Sequence, residues 1–187
     1  MPLAGEYMDL NVEVIDKNEG AITLFFDALG EHSNFLPPVF VNSVADMVSK
    51  LKLIQKKVPI TRLYVQGHGS PGYMAVGAGK THDTTGDLSL QLDASGELKG
   101  MARVLLAQLA GGFTKNAIVT LGGCQTGRDP SGRPLLQKVS QALGGIAVQA
   151  GTDDQDTFPP GMEGTIWRCT PNGCVALPST WWDPPGY

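Results

Sequence analysis

No stretch of this 187-residue chain is apolar for long enough to cross a bilayer: the longest runs, such as residues 21–26, fall far short of the roughly 20 residues a spanning helix needs. Membrane insertion is therefore not expected. Basic residues are outnumbered, 14 Lys and Arg against 18 Asp and Glu, and the net charge of -4 has the wrong sign for holding a long polyanion. Nucleic acid is not an expected partner. Charged residues reach only 17% without any like-charge block, while hydrophobic residues reach 42%, which argues against disorder as the main state. Met1-Pro2-Leu3-Ala4-Gly5-Glu6 has neither a basic start nor an apolar stretch, so no cleavable secretory signal is expected; cytoplasmic residence and export by a non-classical route both stay open. Histidine and cysteine are scarce, and His82, Cys169 and Cys174 fall in no metal-ligand spacing, so neither a metal nor a cofactor is expected. Nor is there an internal repeat or low-complexity segment. The expected organisation is one domain over 1–187, with a core at about 21–154 and a C-terminal hairpin and aromatic tail at about 163–187.

What the chain does have is 24 glycines and 13 prolines set between apolar segments, the pattern of tight loops on a regular scaffold. In residues 11–16, Val12 and Val14 alternate with polar neighbours before the turn signal Lys17-Asn18-Glu19-Gly20, which reads as a hairpin entry. The continuous apolar run 21–26, ending in Asp27, reads as a strand covered on both faces. Ser43 is a candidate N-cap for a helix carrying Val44, Met47, Val48, Leu51 and Ile54 at helical spacing and ending before Pro59. Residues 62–66 form a second buried run, 73–76 and 88–92 two short strands, and 98–109 a helical stretch. The run 117–121, a helix at about 134–143 closed by Gly144-Gly145, and a last core strand at 146–150 complete the scaffold. Apolar strands alternating with helices predict an α/β fold: a mostly parallel sheet with helices on both faces, ligands binding beyond the strands' C-terminal ends. Residues 165–169 and 174–177 flank Thr170-Pro171-Asn172-Gly173 and predict a terminal β-hairpin.

Two of those strand ends carry chemistry. The run 62–66 stops in Gly67-His68-Gly69-Ser70-Pro71-Gly72, and 117–121 stops in Gly122-Gly123-Cys124. Adjacent strands lie about 4.8 Å apart, so an imidazole and a thiol at two such ends come within reach of one substrate carbonyl. His68 can take the thiol proton, which makes Cys124 a candidate nucleophile. Gly69, with no side chain, can bring its N–H close to the substrate, and with the Cys124 N–H it would form an oxyanion hole. Asp153 and Asp154, just past the strand 146–150, are candidates for binding a basic substrate side chain; an exposed acidic turn is the other reading. Asp27 is a candidate orienter of His68, a task a backbone carbonyl could also do. The polar loop 128–133 after the nucleophile reads either as a lid or self-cleavage segment or as a fixed turn.

The motifs Leu63-Tyr64-Val65-Gln66-Gly67-His68-Gly69 and Ile118-Val119-Thr120-Leu121-Gly122-Gly123-Cys124 resemble the two hydrophobic blocks of the caspase, gingipain and clostripain clan of cysteine peptidases. With His68-Gly69-Ser70-Pro71-Gly72 before an apolar strand and Gly132 after Gly123-Cys124, the chain is most similar to bacterial caspase-like domains of uncharacterised function found in large surface proteins. The resemblance spans about 21–154. It implies a caspase-like three-layer sandwich, a His68/Cys124 dyad, an oxyanion hole that includes the Gly69 N–H, and hydrolysis of peptide bonds in a protein or peptide substrate through an acyl-enzyme. The chain departs from the pattern at Gly122, where related enzymes have an acidic residue two places before the cysteine, so the usual reader of a basic residue is missing.

Other readings were weighed against this one. An α/β-hydrolase has its histidine after the nucleophile, whereas His32, His68 and His82 all precede Cys124. A scaffold of the same fold that has lost turnover and serves as an interaction module of a secreted or surface protein is the non-enzymatic alternative. Cys169 and Cys174 straddle the hairpin turn, where register decides between a disulfide and two free thiols. Oligomeric state is not legible.

Overall fold

The computed structural model describes residues 10–19, 37–155 and 162–178. Their main element is a seven-stranded sheet assembled from β1 (Asn11–Asp16), β2 (Val39–Val41), β3 (Ile60–Gln66), β7 (Phe113–Leu121), β8 (Ala147–Gly151), β9 (Ile166–Thr170) and β10 (Gly173–Leu177). Read across the sheet the order is β10, β9, β8, β7, β3, β1, β2; the five strands from β8 to β2 run parallel, while β9 is antiparallel to both neighbours. Three further strands, β4 (Gly69–Ser70), β5 (Tyr73–Ala75) and β6 (Ser89–Gln91), form a separate antiparallel sheet inserted between β3 and β7.

The described helices are α1 (Val44–Gln55), α2 (Ala102–Ala107) and α3 (Gly132–Ala142). α1 and α3 each connect two parallel strands, and α2 leads from the small sheet into β7. Ser43 caps α1 by accepting the Asp46 N–H through its Oγ at 3.1 Å, as its position before the apolar period predicts. The three helices pack side by side, and their buried residues Met47, Leu51, Leu106, Leu135 and Val139 join Val12, Val14, Leu63, Val65, Val119, Leu121 and Val148 of the sheet in one core. Helices on both faces were expected; the described helices form a single layer on one face, and the connection from β1 to β2 falls in residues 20–36, outside the described residues.

The opposite sheet face is polar where the strand pattern alternates. Glu13 and Tyr64 are directly opposed on β1 and β3, with Arg62 and Gln66 on the same face of β3 and Thr120 beside Tyr64 on β7. Glu13 is only 5% exposed and accepts a hydrogen bond from Gln66 Nε2 at 2.5 Å. Burial pushes its carboxyl up to about 8, against a smaller downward pull from that bond. Burial likewise raises the Tyr64 phenol, and the nearby Glu13 charge raises it further.

This buried polar face explains one correction. Residues 11–16 are no hairpin entry: Val12 and Val14 face the core, Asn11 and Glu13 face the buried polar side, and the segment is a fully buried strand paired with β2 and β3. The core thus begins well before residue 21. The run 21–26 expected as the first core strand lies outside the described residues. A second adjustment concerns the stretch 98–109, where helix begins only at Ala102 because Leu98 pairs with Leu92 in a β-bridge and Gly100 takes φ +61°.

The C-terminal hairpin is present at the expected place, extending the sheet beyond β8. Cys169 and Cys174 oppose each other across it and are joined by a disulfide, which resolves the alternative left by the sequence. Arg133 of α3 stacks over Trp167 at 4.7 Å and holds the helix against this edge. No helix among the described residues is long and apolar enough to cross a membrane.

Candidate functional site

β3 and β7 are neighbouring parallel strands with Val65 level with Leu121. His68 lies three residues beyond the first and Cys124 three beyond the second, so both leave the sheet at the same step of the same rim. The Gly122 N–H still donates to the Val65 carbonyl at 2.8 Å, carrying the pairing one residue past the strand. After that the loops meet through glycine. A Cβ on Gly69 would fall 2.5 Å from both the Cys124 carbonyl oxygen and the Gly123 carbonyl carbon, and one on Gly123 would fall 2.9 Å from the Gly69 Cα. Only residues without side chains allow backbones this close.

The small sheet orients the histidine loop. The Ala75 N–H donates to the His68 carbonyl at 2.8 Å, and the antiparallel ladder then alternates, so Gly69 and Met74 are the pair that exchanges no backbone hydrogen bond. The Gly69 N–H is therefore directed away from β5. Thr126, two residues past Cys124 and fully buried, ties the loops together: its Oγ1 donates to the Tyr73 carbonyl at 3.0 Å, and its own carbonyl accepts the Gly72 N–H at 3.2 Å.

Beneath His68 sits Asp16, the last residue of β1 and 1% exposed. Its carboxylate accepts the Asn18 N–H through Oδ1 and the Gly79 N–H through Oδ2, both at 2.8 Å, and its Cβ lies where Gly67 leaves room. Half-buried His68 is held below its ordinary value by burial first and by the Lys80 charge second, with Asp16 pulling the other way. An acidic neighbour of His68 stands at the end of a strand adjacent to β3. It is Asp16; Asp27 lies outside the described residues. The loop bearing Gly79 and Lys80 is kept in shape by Asp83, whose carboxylate accepts from the Thr85, Gly86 and Leu88 backbone N–H groups and from the Thr85 and Ser89 hydroxyls. Burial pushes Asp83 up, but these donors together outweigh it and bring the carboxyl to about 2.

Cys124 is half-buried and is the one free cysteine. Its Sγ accepts the Gln155 N–H at 3.3 Å and lies 3.9 Å from the Gln155 carbonyl oxygen. Asp153 and Asp154 are exposed and stand beside the Cys124 loop, with both carboxylates engaged inside the protein: Asp153 by Arg128 Nη2 at 3.1 Å and Asp154 by Gln125 Nε2 at 2.7 Å. Among the described residues there is no cluster of His, Cys, Asp and Glu able to hold a metal ion.

No family model matches this chain, and no curated protein or solved structure does either. Asp16, Lys80, Gln125 and Gln155 were missed by sequence reasoning, and Arg128 was singled out only as the start of the loop 128–133. Asp16 alone had a legible signal, as an acid closing a strand next to the one that delivers His68.

Proposed function

We propose that the chain is a cysteine endopeptidase of caspase-like fold that cuts peptide bonds through His68 and Cys124. The observation that carries this is the shared step of the two residues past adjacent parallel strands, with the Gly69 backbone packed against Gly123 and Cys124. Burial and Lys80 favour the neutral imidazole, the form that can take the thiol proton. The thiolate then attacks the scissile carbonyl carbon, and the negative charge that develops on oxygen is met by the Gly69 and Cys124 N–H groups. The C–N bond breaks as His68 returns the proton to the leaving amine, giving a thioester. Water, deprotonated by His68, attacks this thioester, releases the carboxylic acid and restores the thiol.

Incubation with a denatured proteome, followed by sequencing of new N-termini, tests the activity. New termini with the wild type that are absent with Cys124→Ala are expected; identical sets would leave a caspase-like interaction module. The pH dependence tests the base. Because the folded His68 value is depressed, the acid limb of the rate should lie below the ordinary 6.5 of an imidazole. Lys80→Ala removes a neighbour that lowers it and should move the limb up, and Asp16→Asn removes one that raises it and should move the limb down. Shifts in the opposite directions would show that the limb does not belong to His68.

A further inference from the structure

Immediately after the nucleophile, Gln125 holds φ 56°, the one non-glycine residue with positive φ among the described residues. Such a conformation is disfavoured for a side chain with a Cβ and persists where surrounding contacts over-determine it. Here those contacts are countable. The Gln125 N–H donates to the Asp153 carbonyl at 2.8 Å, its Nε2 donates to Asp154 Oδ1, and its Oε1 accepts from Arg128 Nη1 at 2.9 Å. Arg128 spends the rest of its fork on the same neighbour: Nε donates to the Thr152 carbonyl at 2.9 Å and Nη2 to Asp153 Oδ1. The Gly127 N–H adds a bond to the Gly151 carbonyl at 2.9 Å. Five hydrogen bonds therefore fasten residues 125–128 to residues 151–154, a further one ties the Arg128 guanidinium to the Gln125 side chain, and the next residue of the second segment, Gln155, is the one whose N–H is directed at the Cys124 sulfur.

We propose that Arg128, acting with Gln125, Asp153 and Asp154, is a clamp that positions Cys124 Sγ by holding residues 152–155 against the nucleophile loop. The inference rests on the reading of Cys124 as the nucleophile. It changes the role of the two carboxylates: they are positioning groups that set the Gln155 N–H on the sulfur, where a donor stabilises developing negative charge, and they do not read a substrate cation. The planar guanidinium matters because an ammonium cannot serve three acceptors in one plane.

The test is the second-order rate at which iodoacetamide alkylates Cys124 at pH 7, followed by peptide mass spectrometry; the thiolate displaces iodide from the methylene carbon, and the other two cysteines are in the disulfide. Arg128→Ala should slow labelling by about tenfold, the weight of one hydrogen bond to a charged group. Arg128→Lys should not recover the wild-type rate. Added methylguanidinium should restore part of the rate in Arg128→Ala and leave the wild type unchanged, a response that a general loss of stability would not give. Asp153→Asn should slow labelling as well, and serves as the test should Arg128→Ala not fold. An unchanged or faster rate in these variants, or no rescue by methylguanidinium, overturns the clamp. His68→Ala in the same assay separates the two ideas: slowing by His68→Ala alone sinks the clamp and keeps the dyad, whereas slowing by Arg128→Ala alone sinks the dyad and keeps the clamp.

Discussion

The two halves of the site are held in opposite ways. His68 is braced from inside the fold, by a buried aspartate on the neighbouring strand, a short antiparallel sheet, and a loop wound around the Asp83 carboxylate. Cys124 is braced from the surface, by a polar clamp whose Arg128 and Asp153 side chains are 46% and 52% exposed. A side chain braced by buried groups keeps its place whatever the solvent, whereas one braced by exposed charges answers to ionic strength and to single surface substitutions. The difference teaches where to perturb each partner separately.

The largest effect is expected under the histidine side. Glu13, hydrogen-bonded to Gln66 two residues before His68, has a folded value of about 8 against 4.5 unfolded. Between those two values the native state holds a proton that the unfolded chain has lost, so stability is full below 4.5, declines as pH rises towards 8, and is level above it. The slope is about 1.4 kcal/mol per pH unit within that window. Denaturant unfolding across this range should show the decline in the wild type and its disappearance in Glu13→Gln; a flat wild-type profile would contradict it.

Asp83→Ala comes next, leaving the N–H groups of Thr85, Gly86 and Leu88 without their acceptor, at a cost of about 3 kcal/mol in unfolding free energy. It should slow cleavage through the histidine loop while leaving the clamp intact. Gly69→Ala is expected to cost about 2 kcal/mol, because the new methyl meets backbone atoms of both Gly123 and Cys124 that cannot rotate away. Gly111→Ala, where nothing lies within 4 Å, is the control and should be neutral or mildly stabilising. The smallest effect on stability belongs to the cysteine side. Raising salt to about 1 M should change unfolding by less than about 1 kcal/mol, the worth of an exposed ion pair, yet slow Cys124 labelling more than it alters the His68 pH limb.

Much of this architecture was legible because buried parallel strands are written as short, mainly apolar runs that stop at glycine. β3, β7 and β8 follow from such runs, α1 from helical periodicity, α3 from Pro134 and the closing Gly144-Gly145, and the hairpin from Pro171-Asn172-Gly173. β1 was misread for a physical reason: half of it faces a buried polar layer, so Asn11 and Glu13 give it the alternation of a half-exposed strand although every residue is buried. Reading residues 11–16 as a hairpin entry hid Asp16 as the acid that closes a strand adjacent to β3. The positions of His68, Gly69 and Cys124 could be read from glycine-flanked strand ends alone. The clamp could not, because its bonds join loops about 25 residues apart through ordinary polar side chains that carry no local signal. Sequence spacing also could not reveal that Asp153 and Asp154 are occupied by Arg128 and Gln125.

The most direct test of the account is whether the imidazole governs the thiol. Alkylation of Cys124 by iodoacetamide should be fast near neutral pH in the wild type and at least about tenfold slower in His68→Ala, with both proteins folded to the same extent. Equal rates in the two proteins would mean that the two strand ends meet without sharing a proton, and the proposed chemistry would not stand.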